Sequence, residues 1–340
     1  MIRRPIRVLL LSVPALLGLF VLAGCTERTT ATRPVGAGDS LAYGELRQRA
    51  ERLLLEAAKG DLDVVRCNAI EALAQVAPAA GMNAFLDSLH NESAMVRYAA
   101  CLALGELRAR DARPAMMKLL NDASPRVRLG AAYGVARCGE TNAAAYLAAG
   151  LSSQDENLRC DAAYLIGKLG EPAAGKRLKL AESREKSNKV LVHIQAALAM
   201  LGQPQSVEKL ISYTAGDAVS RIVALQSLVE LRNERALEAF KLVYNGQTNY
   251  LQLRLLAARG LGRLGYDTGY KLALSSLNYS SSKSEPEEIM SIRTLAPLAL
   301  GAIGDPKALP DLRRIAESDT DERIQVAAAY AICQIVTNRR

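Results

Sequence analysis

Residues 94–107 read Ala-Met-Val-Arg-Tyr-Ala-Ala-Cys-Leu-Ala-Leu-Gly-Glu-Leu, and residues 125–138 read Pro-Arg-Val-Arg-Leu-Gly-Ala-Ala-Tyr-Gly-Val-Ala-Arg-Cys. Superposed, both stretches carry Val-Arg, an alanine four places after the valine and an aliphatic residue eight places after it. The pattern starts nine times, at Val65, Val96, Val127, Leu158, Val190, Ser220, Leu253, Ile292 and Ile324, with spacings of 31, 31, 31, 32, 30, 33, 39 and 32 residues. A period of this length marks stacked supersecondary units, each too small to bury its apolar face alone.

Counting from each start as position 0, position +4 is alanine in eight of nine units, from Ala69 to Ala328, with Ile194 the exception. Position +8 is always Leu, Val or Ile, position +9 is mostly Gly or Ala, and position +11 is apolar throughout, with Cys138 the smallest. At 3.6 residues per turn, positions 0, +4, +8 and +11 fall within about 80° of one another and form one buried helix face. A second helical pattern precedes each start, as at 112–120 and 307–316, and Gly170 with Pro172, Gly202 with Pro204 and Gly304 with Pro306 mark joints. Each unit therefore reads helix, turn, helix. The fold expected is all-α, a right-handed α-solenoid of about nine helix pairs over residues 41–340.

These units resemble the short HEAT-like repeat first associated with phycobilin lyases, over about residues 41–337. Asp305-Pro306-Lys307-Ala308-Leu309-Pro310 matches the opening of that repeat closely. The resemblance implies a solenoid and says little of function, because such repeats serve many unrelated settings. The tetratricopeptide and ankyrin signatures are missing.

The N-terminus carries a separate message. Arg3, Arg4 and Arg7 precede an uncharged run from Val8 to Ala23 that ends Leu22-Ala23-Gly24-Cys25. A positive flank, an apolar run shorter than the ~20 residues of a membrane span and a small-residue exit describe a secretory signal over residues 1–24. The exit resembles a bacterial lipobox. That resemblance implies a diacylglycerol thioether on Cys25, cleavage before it and acylation of its amine, and several acyl chains anchor firmly. An uncleaved signal anchor, or a cleaved signal with an incidental cysteine, is the alternative. Thr26 stands where an aspartate would signal inner-membrane retention, which leans toward the outer membrane of a two-membrane cell, facing the periplasm or exterior. Residues 25–40 read as a flexible tether.

The chain has 43 Lys and Arg against 35 Asp and Glu, a formal net charge of +8, and keeps +5 once Arg3, Arg4 and Arg7 are removed. Export and the lack of a Lys/Arg block argue against nucleic acid as a partner. Arginine follows position 0 in seven units, and acidic residues precede it by three to five places in most, as at Asp122, Asp155, Asp217 and Asp321. A structural Asp-Arg ladder between neighbouring units is expected in preference to an anion groove.

Catalytic motifs are lacking. No Walker loop, no Gly-x-Ser-x-Gly elbow and no Cys-x-x-Cys pair occurs, so no catalytic residue, metal site or cofactor is expected. The HEAT-like di-iron hydroxylases repeat a His-Glu pair, whereas here Asn91 follows His90 and Ile194 follows His193. Cys67, Cys101, Cys138, Cys160 and Cys333 read as buried, inert thiols.

Positions +2, +3, +6 and +10 do not repeat, and in a solenoid of this kind they line the concave side. Tyr98, Tyr133, Arg137, Tyr164, Lys168, Arg259 and Arg263 stand there. Interfaces favour Tyr and Arg, so these residues are the expected contacts for a protein or peptide in the concave groove. Ordinary half-exposed helix surface is the plain alternative. The functional expectation is a membrane-anchored scaffold for protein interactions, attached through Cys25. A bilin-lyase-like covalent transfer factor and an envelope spacer binding anionic polymer or lipid are the alternatives.

Overall fold

The structure, a computed structural model, describes residues 37–246 and 250–338. The expected signal, Cys25 and the tether up to residue 36 lie outside the described residues. The expected helix pairs are present: among the described residues there are eighteen α-helices and no strand. The first helix starts at Ala37, one turn before the expected boundary at residue 41.

The outer helices are α1 (Ala37–Ala57), α3 (Pro78–Ser88), α5 (Arg113–Lys118), α7 (Ala144–Gly150), α9 (Gly175–Arg184), α11 (Pro204–Tyr213), α13 (Leu237–Asn245), α15 (Tyr270–Ser276) and α17 (Leu309–Ser318). The inner helices, which carry the repeated motif, are α2 (Asp63–Val76), α4 (Ala94–Glu106), α6 (Pro125–Arg137), α8 (Glu156–Leu169), α10 (Asn188–Met200), α12 (Ala218–Leu231), α14 (Leu251–Arg263), α16 (Pro286–Ile303) and α18 (Glu322–Thr337). All nine residues at position +4 are buried, as the apolar face requires.

Each inner helix packs against the next, from α2 round to α18, and α18 packs in turn against both α1 and α2. The nine units therefore close into a ring. The seam is polar as well as apolar. Tyr330 of α18 donates to Gln75 Oε1 of α2 at 2.8 Å and accepts from Gln334 Nε2 at 2.7 Å. On the outer layer Arg49 Nη1 lies 3.7 Å from Glu317 Oε1, joining α1 to α17. The concave groove expected to receive a partner is here the interior of the ring.

Position +9 sets how closely neighbouring inner helices approach. A β-carbon on Gly105 would lie 2.8 Å from Gly134 Cα, on Gly167 2.6 Å from Ala197 Cα, on Gly262 2.7 Å from the Ile303 nitrogen and on Gly301 2.9 Å from Ala331 Cα. In each case the neighbour is backbone of the following inner helix, which has no slack to give. These four junctions are also the most extensive contacts between inner helices. Junctions carrying Ala, Val or Cys at +9 are looser.

The arginine column has two tasks. The side chain after position 0 donates to a carbonyl of the loop ahead of its own helix: Arg66 to Lys59 O at 3.1 Å, Arg97 to Asn91 O at 2.8 Å, Arg128 to Asp122 O at 2.7 Å, Arg159 to Ser153 O at 2.9 Å and Arg221 to Thr214 O at 3.0 Å. Gln325 does the same to Asp319 O at 2.6 Å. Rungs of the interunit ladder at this column include Arg97–Asp122 at 2.8 Å, Arg159–Glu185 at 2.7 Å, and Arg293–Asp319. Asp155, Asp217 and Asp321 are instead N-caps of α8, α12 and α18, accepting from backbone N–H groups one or two residues inside the helix. The 39-residue spacing is a loop only at 277–285; from Pro286 onward the inserted length lengthens α16 to 18 residues.

The glycine seam yields a paired prediction. Gly44 lies inside α1 with nothing within 4 Å of an added β-carbon, so Gly44→Ala should stabilise by about 0.5–1 kcal/mol through helix propensity. Gly105→Ala gains the same propensity but presses on backbone, and should destabilise by about 1–3 kcal/mol. Urea unfolding of the two variants checks the signs; equal shifts would mean that the +9 seam is not tight.

Candidate functional site

Positions +6 and +10 of the inner helices face the middle of the ring, and together they form two polar layers. Their polar members are Glu71, Tyr133, Tyr164, Gln226, Arg259 and Tyr330 at +6 and Gln75, Glu106, Arg137, Lys168, Glu230, Arg263 and Gln334 at +10, with Leu102, Ala196, Leu298, Met200 and Ala302 in the remaining places. Tyr133, Arg259 and Tyr330 are only 1–3% exposed, whereas Glu106, Arg137, Glu230 and Arg263 are half-buried. Exposure is uneven within both layers, since Glu71 and Tyr164 at +6 are half-buried too and Lys168 at +10 is 5% exposed.

The residues expected in a groove lie in or beside this interior, and most are not free surface. Tyr98 is buried, packed over Gly130, with the Arg126 guanidinium 4.9 Å above its ring. Tyr133 donates to Glu106, and Lys168 Nζ, 5% exposed, lies 2.9 Å from Glu106 Oε1. Arg259 is buried, Arg137 stands near Tyr133, and Arg263 near Tyr330. Tyr164 has Glu230, Glu71 and Glu106, from three other units, as electrostatic neighbours. These side chains come together across the ring, facing one another more than solvent.

Reading the +10 column for cations alone overlooks its carboxylates and amides. Glu106, Glu230, Gln75 and Gln334 occupy the same position as Arg137, Lys168 and Arg263, and that shared position is the signal that finds them. Nearer the N-terminal ends, Arg126 Nε lies 2.9 Å from Asp161 Oδ2. Burial nevertheless raises the Asp161 carboxyl to about 6, against the pull of Arg126.

Burial dominates the electrostatics. It lowers His193, whose Nδ1 is 2.9 Å from Lys189 O, to about 4, and raises the Cys67, Cys160 and Cys333 thiols to about 12. Among the described residues all five cysteines are unpaired thiols, four of them buried. Glu230 is raised to about 7, chiefly by burial, although Lys168, Arg259 and Arg263 act to lower it. Among the described residues no group of His, Cys, Asp and Glu is placed to hold a metal ion. What the interior offers is fixed guanidinium, ammonium and phenol donors beside carboxylates, one of which titrates near neutrality.

Glu230 makes stability depend on pH. Its carboxyl holds a proton more tightly folded than unfolded, so this contribution is complete below about 4.5 and is lost as pH rises through about 7. Relative to wild type, Glu230→Gln should therefore gain stability between pH 5 and pH 8, approaching about 3 kcal/mol. Urea midpoints at both pH values check this; Asp161 and His193 cancel in the comparison. A constant difference would place Glu230 in water.

The chain matches the family described as HEAT repeats over residues 50–133, 114–189 and 246–333. No curated protein matches it. Among solved structures it is similar to the complex of CpcE and CpcF of phycocyanin lyase from Nostoc sp. PCC7120, at 19% identity over 80% of this chain and 98% of that one, with a TM-score of 0.44. It is also similar to human deoxyhypusine hydroxylase in complex with glycerol, at 17% identity over 88% and 99% of the two chains, with a TM-score of 0.36. Kap121p follows at 11% identity over 83% of this chain and 37% of that one, with a TM-score of 0.34. The matched stretches span more than half the sequence, and the chain belongs to the HEAT-repeat family.

Proposed function

We propose that this protein is a lipid-anchored scaffold of the bacterial cell envelope that binds other proteins without catalysing a reaction. HEAT-repeat solenoids suit protein interaction because stacked helices present an extended, rigid surface. The observation that carries the reading is the use of the ring's two sides. The inner side is largely filled by its own side chains, while the outer helices expose apolar residues on consecutive units: Met117 on α5, Tyr146 on α7 and Leu180 on α9. Exposed Arg113 and Lys118 share α5 with Met117, and exposed Lys176, Arg177 and Lys179 share α9 with Leu180, so an acidic partner with apolar anchors is the complement.

Attachment rests on Leu22-Ala23-Gly24-Cys25. Among the described residues no helix is long and apolar enough to cross a membrane, so in this reading residues 1–25 supply the attachment. The lipid would be an acylated Cys25, with residues 26–36 as the leash. An outer-membrane location follows from Thr26 only if the cell has two membranes.

Two measurements test the parts separately. Cys25→Ala should move the protein from the membrane to the soluble fraction and abolish labelling by a fatty-acid analogue; unchanged partition would remove the anchor. Replacing Met117, Tyr146 and Leu180 together by serine should leave the melting temperature within a few degrees of wild type and cut recovery of the main cross-linked partner at least tenfold, since interface anchors contribute about 2 kcal/mol each. Undiminished recovery would exclude the outer face of α5, α7 and α9.

A further inference from the structure

The ring has two edges, and they differ in charge. The rungs Arg97–Asp122 and Arg159–Glu185 tie neighbouring loops at the edge where inner helices begin, and Lys168–Glu106 ties the ends of inner helices at the other. At this second edge the loops after the inner helices carry exposed Arg108, Arg110, Arg232, Arg235 and Lys307, and the first turns of the outer helices add exposed Arg113, Lys176, Arg177 and Lys271. Exposed acids in the same loops and turns are fewer: Asp111, Glu171, Glu234, Glu238 and Asp267. Arg235 also lies 3.2 Å from Glu208, a pair more than half exposed and therefore weak. At the first edge the balance reverses. Exposed Asp61, Glu92, Asp155, Asp217, Glu285 and Glu322 stand there with only Lys59, Lys186 and Lys283 as exposed cations in the loops and first turns of the inner helices.

The chain enters the ring at the basic edge. Arg47 Nη2 of α1 donates to the carbonyl of Val76, the last residue of α2, at 3.0 Å. The part of α1 ahead of Arg47, about 15 Å of helix, therefore runs on past that edge. Leu41, in this projecting part, is 75% exposed. Tyr266, in the loop after α14 at the same edge, is 41% exposed, with Lys241 Nζ 6.0 Å from the centre of its ring. Cations beside an exposed leucine and tyrosine are the residue types that settle into a headgroup layer. Only residues 26–36 separate Cys25 from α1, at most about 40 Å of extended chain. An attachment at Cys25 thus holds this edge nearest the lipid.

We propose that the basic edge seats the ring on a phospholipid surface bearing anionic headgroups, with the start of α1 toward the lipid and the acidic edge away from it. The proposal rests on the reading that residues 1–25 attach the chain to a membrane, and adds how the body is oriented there. Inner helices of 13–14 residues set the two edges about 20 Å apart. That is more than twice the ~8 Å over which charge acts at physiological salt, so an anionic surface attracts the near edge without repelling the far one. Seated this way, the outer face of α5, α7 and α9 is turned sideways, free for a protein partner.

The test uses the full chain with one added cysteine, Gln205→Cys at the basic edge or Gln154→Cys at the acidic edge, both exposed positions, and the chain without an added cysteine as blank. Each is labelled with bimane and reconstituted into phosphatidylcholine vesicles containing phosphatidylglycerol and a headgroup nitroxide. The basic-edge label should be quenched about threefold or more beyond the acidic-edge label, since the edges stand about 20 Å apart. The difference should shrink in phosphatidylcholine alone and in about 1 M salt, where screening shortens to about 3 Å. It should also shrink in a chain carrying Arg110→Glu, Arg235→Glu and Lys307→Glu, whose melting temperature should stay within a few degrees of wild type. Failure of the chain to float with either vesicle would remove the attachment and this seating with it. A chain that floats but is quenched equally at both edges, or more at Gln154→Cys, would overturn the seating and leave the attachment standing. Shielding of the Gln205→Cys label that grows with protein density and ignores phosphatidylglycerol would assign the basic edge to the acidic edge of a second copy, and would overturn the lipid proposal too.

Discussion

The backbone contact between neighbouring inner helices controls this molecule. Where +9 is glycine, the next helix presses so closely that even a methyl group has no room, as at Gly105 against Gly134 and Gly262 against Ile303. Close approach on the inner layer, with bulkier side chains such as Phe85, Met116 and Phe240 between the layers, turns each unit relative to the last. Nine units completing a circle turn about 40° each on average, a per-unit rotation of the kind that gives every solenoid its curvature. Tight junctions with glycine and looser ones with Ala, Val or Cys share that total unevenly around the ring.

Closure has an energetic consequence that an open solenoid lacks. Terminal units normally carry a polar outer face because nothing packs on them. Here α18 finds α1 and α2, and Ile332, Cys333 and Val336 are buried at the C-terminal end of the chain. The exchange of hydrogen bonds among Tyr330, Gln75 and Gln334 fixes which helix meets which. Closure also brings acids and bases from distant units into one interior, which raises Glu230.

Much of this was legible in the chain. The 31-residue period, the alanine column and the apolar positions 0, +8 and +11 specify helix pairs because every unit meets nearly the same neighbours. The arginine column was legible as structural, but its main acceptor was not, because loop carbonyls leave no mark in sequence; Gln325 serving in place of arginine is the clue. Closure was not legible, since it depends on a sum of small rotations that no single unit records. The reading of Tyr133, Arg137 and Tyr164 as a partner surface rested on their failure to repeat. Inside a ring that inference loses its force: +6 and +10 side chains face different units across the middle, so the protein's own packing also demands that they differ. Nothing in the described residues bears on Cys25, whose role stays with the sequence.

The ring itself is tested most directly at its outer seam. Arg49 on α1 and Glu317 on α17 are half-exposed and 3.7 Å apart, while the native thiols of the ring are buried or, for Cys67, raised to about 12 and unreactive. In a chain carrying Arg49→Cys and Glu317→Cys, a short bifunctional thiol reagent should join the two new cysteines within one monomer, in high yield and independently of protein concentration. Linkage only between molecules, or none while each single cysteine remains reactive, would mean that the two ends of the solenoid stand apart and that the ring does not close.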